Sequence, residues 1–187
     1  MQTPLDTVII LDKQVNAWFF GLRDIFAEKI FLSFTMLGEA LFVIILSVII
    51  SLLLWHWRKK WQIISMWTAI VGSEVTTYIL KLIVDRVRPS DALVLEHSAS
   101  FPSGHATIAI AFYGFLAYLL LREIKKYRAL TLVVSIIIIL AIGFSRLYLG
   151  VHYLSDVLVG YLIGVVWLVI GIKVDSCAGN RVHLCAG

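Results

Sequence analysis

The chain has 187 residues, of which 60% are apolar, with a mean hydropathy of +0.94 and a formal net charge of +4 at pH 7. A soluble domain averages about 45–50% apolar residues, so this composition excludes an ordinary water-soluble fold. The cations cluster in short loops and at three motifs, which argues against nucleic-acid binding, and the length suits a single helical bundle.

The first segment, Met-Gln-Thr-Pro-Leu-Asp, lacks the basic start of a signal peptide, so insertion is expected to depend on the spans themselves. Over residues 1–33, Val15, Trp18, Phe19, Leu22, Ile25 and Phe26 recur at helical spacing. Asp6, Asp12, Lys13, Arg23, Asp24, Glu28 and Lys29 are left for another face. This pattern predicts an amphipathic helix lying in the membrane interface, with a sixth span as the alternative.

A transmembrane helix needs roughly 20 mostly apolar residues, and five segments within a bundle at 34–173 qualify: 34–57, 61–84, 103–121, 129–147 and 156–173. The fold class is therefore all-α, a polytopic helical bundle. Arg58-Lys59-Lys60 and the basic stretch 122–128 hold seven of the sixteen Lys and Arg residues. The positive-inside rule places both clusters in the cytoplasm. Loop 85–102 and turn 148–155 then emerge on the extracytoplasmic side, and the C-terminus is cytoplasmic. Gly160 and Gly164 form a small-residue pair for close helix packing inside the bundle or in a homodimer. Residues 174–187 are expected to be a flexible tail, and the spacing of Cys177, His183 and Cys185 matches no common zinc site.

Three motifs carry most of the polar chemistry: Lys81-x6-Arg88-Pro89, Pro102-Ser103-Gly104-His105 and Ser145-Arg146-x5-His152-x3-Asp156. The topology puts all three on one membrane face. His152 and Asp156 are four apart, so a carboxylate can hold the imidazole in one tautomer and leave Nε2 free as a nucleophile or base. Ser103 is a good helix N-cap, Gly104 permits close backbone approach, and His105 follows in the first turn, beside the unpaired N–H groups of the helix start. There it can protonate a leaving oxygen.

Lys81, Arg88 and Arg146 supply fixed cations, which suit the negative charge that spreads over a phosphoryl group in transfer. Glu74 and Tyr78 share a helical face with Lys81 and are candidate supporting residues. Arg86 reads as a headgroup anchor, His56 as an interfacial residue and His97 as a solvated loop residue. No acidic cluster suits magnesium, so neither a metal nor a cofactor is expected.

The set K-x6-RP, PSGH, SR-x5-H-x3-D resembles the three-part signature of the type-2 phosphatidic acid phosphatase superfamily, at every signature position over residues 81–156. The resemblance implies a metal-independent phosphatase acting on lipid phosphates or diphosphates at the outer membrane face. By position, His152 takes the nucleophile's role, Asp156 that of its orienting carboxylate and His105 that of the acid. Lys81, Arg88, Ser103, Gly104 and Arg146 match the phosphate-binding positions. Similarity to small bacterial members makes undecaprenyl diphosphate the favoured substrate, with phosphatidylglycerophosphate or phosphatidate as the alternative. A lipid phosphotransferase and a non-enzymatic lipid-binding protein are the remaining readings.

Overall fold

A computed structural model describes residues 3–184 and, within them, all side chains except those of Leu5 and 179–184. His183 and Cys185 thus lie outside the described side chains. The helices run in chain order as α1 (Pro4–Gly21), α2 (Ile25–Met36), α3 (Ala40–His56), α4 (Lys60–Val84), α5 (Gly104–Ile108), α6 (Phe115–Glu123), α7 (Arg128–Tyr148) and α8 (Leu154–Leu184). A π-helical stretch, Ala109–Gly114, joins α5 to α6, so the two cross as one span, Gly104–Glu123. No strand occurs among the described residues.

The interfacial segment differs from the single helix expected over 1–33. A capping box between Thr3 and Asp6, with Pro4 in the first turn, starts α1, and the helix stops after Gly21. Asp24 then caps a new helix, accepting from the backbone N–H of Phe26 at 2.9 Å and of Ala27 at 3.3 Å. The break has a tertiary cause. Arg23 turns inward and donates to the carbonyls of Asp91 (2.7 Å) and Tyr148 (3.2 Å). These are contacts across the fold that local periodicity does not encode.

The first span is likewise not the straight helix expected at 34–57. Helices α2 and α3 form a pair bent by 46° around Leu37-Gly38-Glu39, and together they are apolar enough for one crossing. Gly38 sits against the His105 ring and Ile142, where a Cβ would lie 2.8–3.0 Å from them. The Leu37 carbonyl at the bend is taken up by the Tyr113 hydroxyl at 2.7 Å. Four further helices are long and apolar enough to span, matching the other four expected segments.

The core lies where α3, α4, the π-helical stretch, α6 and α7 meet, around Val43, Met66, Ile70, Phe112, Phe115 and Ile142. Gly160 and Gly164 of α8 face the α5 backbone, where an added Cβ would fall 2.6 Å from the Ser103 and Thr107 carbonyl oxygens. The glycine pair therefore serves packing within the bundle. Outward apolar side chains such as Leu52, Trp55, Leu130 and Leu162 are well exposed, as expected for faces solvated by lipid. Helix α8 continues to Leu184, so the backbone from 174 extends the last span as helix where a flexible tail was expected.

Both basic clusters lie at one end of this bundle. Lys59 Nζ, between α3 and α4, reaches Glu123 Oε1, at the end of α6, at 2.5 Å. The three motifs gather at the opposite end.

Candidate active site

Asp85 closes α4 in the left-handed region (φ 41°) and sends the following segment across the end of the bundle. That loop is pinned by the Leu93 N–H on the Leu149 carbonyl (2.9 Å) and by the Ser100 N–H on the Arg86 carbonyl (2.8 Å). It carries Arg86, Arg88, Glu96 and Ser100 onto the α7–α8 turn. Lys81 lies in the last turn of α4, with its ammonium on the Ala99 carbonyl.

Arg88 donates to the carbonyls of Ser98 and Val151, both at 2.8 Å, and its Nη1 stands 3.3 Å from His152 Nε2. Arg146 is 2% exposed, donates to the Thr35 hydroxyl at 2.6 Å, and has Nη1 3.4 Å from His105 Nε2. Between the two guanidinium groups sits the Glu96 carboxylate, paired with Arg88 Nη2 at 2.7 Å and with Arg146 Nη2. Burial works to raise the Glu96 pKa, but Arg146 and Arg88 outweigh it and hold the carboxyl at about 2. An anion position is thus marked by a carboxylate, clasped by two arginines that each also touch one histidine.

His152, in the α7–α8 turn, is 1% exposed. Burial lowers its pKa to about 4, with Arg146 and Arg88 adding to the effect against the opposing pull of Asp156. The imidazole is therefore neutral across the physiological range. Its Nδ1 lies 3.7 Å from Asp156 Oδ2, longer than a hydrogen bond but with the carboxylate facing the ring.

Asp156 is fixed from several sides. Its Oδ2 accepts from the Ser100 hydroxyl at 2.5 Å and the Tyr153 N–H at 2.9 Å, and its Oδ1 accepts from Arg86 at 2.6 Å. Ser103 is fully buried and caps α5. Its N–H donates to the Asp156 carbonyl at 3.0 Å, which ties the His105 segment to the His152 segment. The next amides, those of Gly104 and His105, open the helix and have no carbonyl four residues back within it.

A cavity of about 330 Å³ opens from His105 between α3 and α4, lined by Gly38, Glu39, Trp67, Ile70, Glu74 and Gly104 among others. Glu39 Oε2 is 3.2 Å from His105 Nε2. Glu74 lines this largely apolar groove and makes no hydrogen bond or ion pair among the described residues. Tyr78 is 64% exposed and is not among the residues lining this groove. The buried face of α4 is centred on Thr77 (2% exposed), and at about 100° per residue Tyr78 is turned out of it.

The motifs thus bring together Lys81, Arg88, Ser103, Gly104, His105, Arg146, His152 and Asp156. Sequence reasoning missed Arg86, which turns inward to Asp156 and Asp12 where a headgroup anchor was expected. Burial opposes the Arg86 charge, but the two carboxylates outweigh it and raise its pKa. Asp12, Thr35, Glu39, Glu96 and Ser100 were also missed. Each is an ordinary polar residue locally, and only its long-range partner marks it.

The chain and its fold have clear relatives. The model of the PAP2 superfamily matches residues 62–176, more than half of the chain. The chain is 34% identical over 147 residues to phosphatidylglycerophosphatase B of Bacillus subtilis (strain 168), a match covering 76% of this chain and 72% of that one. It is 32% identical over 143 residues to decaprenylphosphoryl-5-phosphoribose phosphatase of Mycobacterium tuberculosis, covering 74% and 72%. The crystal structure of a transmembrane PAP2-type phosphatidylglycerolphosphate phosphatase from Bacillus subtilis superposes with a TM-score of 0.84 at 30% identity, over 94% of this chain and 88% of that one. With its site at the end of an apolar helical bundle, the chain belongs to the PAP2 superfamily and is a multi-pass membrane lipid phosphatase.

Proposed function

We propose that the chain hydrolyses the phosphomonoester of a glycerophospholipid, phosphatidylglycerophosphate ahead of phosphatidate, through a phosphohistidine on His152. The observation that carries this reading is the Glu96 carboxylate between Arg88 and Arg146, because its oxygens stand in for those of a phosphate. A phosphorus placed there is approached by His152 from one arginine and by His105 from the other.

In the first step the Nε2 lone pair of His152 forms a bond to phosphorus while the ester P–O bond breaks. His105 gives its proton to the departing lipid oxygen. Asp156 stabilises the positive charge that develops on the His152 ring. In the second step a water oxygen attacks phosphorus, the P–N bond breaks, and His105 takes the water proton. Orthophosphate leaves. Lys81, Arg88 and Arg146 offset the charge on the equatorial oxygens throughout. The apolar groove beside His105 suits the lipid's glycerol and first acyl carbons.

The relatives lend more support to the alternative than to the substrate favoured from the sequence. Resemblance to a phosphatidylglycerophosphatase over most of both chains supports a glycerophospholipid more directly than undecaprenyl diphosphate. The prenyl reading keeps one support, the mycobacterial relative named for a decaprenylphosphoryl substrate. A phosphate-release assay on the purified chain in EDTA decides between them. We expect turnover to be fastest on phosphatidylglycerophosphate, slower on phosphatidate and slowest on undecaprenyl diphosphate. Fastest release from the diphosphate would reject this substrate, and a strict magnesium requirement would reject the metal-free mechanism.

We place the site on the extracytoplasmic face and the C-terminus in the cytoplasm. The positive-inside rule supports this, as does the Lys59–Glu123 contact that draws both basic clusters to the far end. A cysteine at Ala92 is expected to react with an impermeant thiol reagent in intact cells; labelling only after lysis would invert the topology.

A further inference from the structure

Asp12 belongs to α1, outside the residues 62–176 that match the family, yet it is 2% exposed. Its carboxylate accepts from the Ser155 N–H at 2.9 Å, the Ser155 hydroxyl at 2.6 Å and Arg86 Nη2 at 2.8 Å. The other arm of Arg86, Nη1, donates to Ser155 Oγ at 2.7 Å and to Asp156 Oδ1 at 2.6 Å. The guanidinium lies over the Tyr153 ring at 4.1 Å. One planar fork thus joins two buried carboxylates, one from the amphipathic helix and one from the site.

We propose that Asp12 is a positioning residue for the phosphatase reaction: through Arg86 and Ser155 it fixes where the Asp156 carboxylate stands relative to His152. This rests on the reading of His152 as nucleophile and Asp156 as its orienting carboxylate. The argument is one of shared charge. With Asp12 in place, Arg86 divides its two arms between Asp12 and Asp156. Without that charge, both arms turn to Asp156 and draw it toward its Oδ1 side, away from His152 Nδ1. The Oδ2 atom is already shared with Ser100 and the Tyr153 N–H and cannot make up the loss. Asp12 makes no contact with Arg88, Arg146 or Lys81, so substrate affinity is spared and the chemical step is not.

The test uses the full chain purified in detergent, with dioctanoyl phosphatidylglycerophosphate as the probe and thermal melting as the control for folding. Asp12→Asn is expected to lower kcat by about 10- to 100-fold, the scale typical of outer-shell partners, while KM stays within about twofold. Placed on top of Asp156→Asn, the same change is expected to cost nothing further, because it acts through Asp156. Arg86→Lys keeps the charge but not the fork, and the same pattern is expected of it; it carries the test if Asp12→Asn does not fold.

Unchanged kcat in a folded Asp12→Asn overturns the proposal, as does a rise confined to KM, or a full further loss in the double variant. Full activity in Asp156→Asn alone is a different failure, because it removes the mechanism on which the inference stands.

Discussion

At the basic end of the bundle, Lys59 meets Glu123 with side chains 29% and 51% exposed, and Arg122 pairs with Asp175 while itself 47% exposed. At the other end, Arg146 and Asp156 are 2% and 0% exposed, and each is held by partners from several parts of the fold. In the first set Lys59, Glu123 and Arg122 keep much of their contact with water and gain little from their partners, although Asp175 itself is buried. The second has given up water altogether, and such desolvation is tolerated only where every charge is matched. The contrast separates cations left in contact with water from cations buried against several partners, which composition alone cannot do.

The comparison breaks most sharply at Arg146. Arg146→Ala is expected to lower kcat/KM by about 10²–10³-fold or more, since it removes a preorganised donor from the reacting phosphate. Arg146→Lys should recover only a small part, because a compact ammonium lacks the planar fork whose separate nitrogens reach Thr35 and the anion position. Steady-state kinetics on the folded variants checks both, and near-wild-type rates for Arg146→Lys would move the phosphate seat elsewhere.

Next in size is the pH profile. Nε2 attacks only when unprotonated, so the rate falls as pH drops through the His152 pKa. With that pKa at about 4, the acid limb of kcat/KM should lie well below the ordinary histidine value of about 6.5. The substrate's own phosphate ionisation, near pH 6, has to be corrected for. A residual limb at 6–7 would show that the nucleophile is less buried than described.

A smaller change is expected at Glu96. Glu96→Gln removes the carboxylate that competes for the anion position, so KM should fall by about 3- to 10-fold, equivalent to roughly 0.7–1.4 kcal/mol. The same variant should melt earlier, because Arg88 and Arg146 are then left facing each other without a counter-charge. An increase in KM would instead make Glu96 a contact for the substrate headgroup. Least of all, Lys59→Ala or Glu123→Ala should change stability by no more than about 1 kcal/mol and leave turnover alone.

Much of the fold is legible in the sequence. The apolar spans, and the gathering of the three motifs at one end of the bundle, follow from hydropathy, charge bias and spacing, because hydrocarbon thickness and loop charge act locally on the chain. What escaped depends on pairs far apart in sequence. Arg86 and Arg88 stand two residues apart in one short loop with similar local surroundings, yet one meets Asp156 and Asp12 while the other meets His152. Asp12 looks like any charge on the polar face of an amphipathic helix, and its role rests on contacts 74 and 143 residues away. Tyr78 was misplaced for a simpler reason. An i, i+3, i+4 face is broad, and its rim in α4 points at lipid.

The bond from the Ser103 N–H to the Asp156 carbonyl, with Gly160 and Gly164 seated on the α5 backbone, has a consequence for how such a protein diversifies. The separation of the two histidines is set by main chain on main chain, so exchanging side chains along the apolar groove leaves that separation where it was. Novelty in the lipid accepted has to come from elsewhere, from the bent α2–α3 pair and the facing side of α4. Those walls can drift while the chemistry stays still.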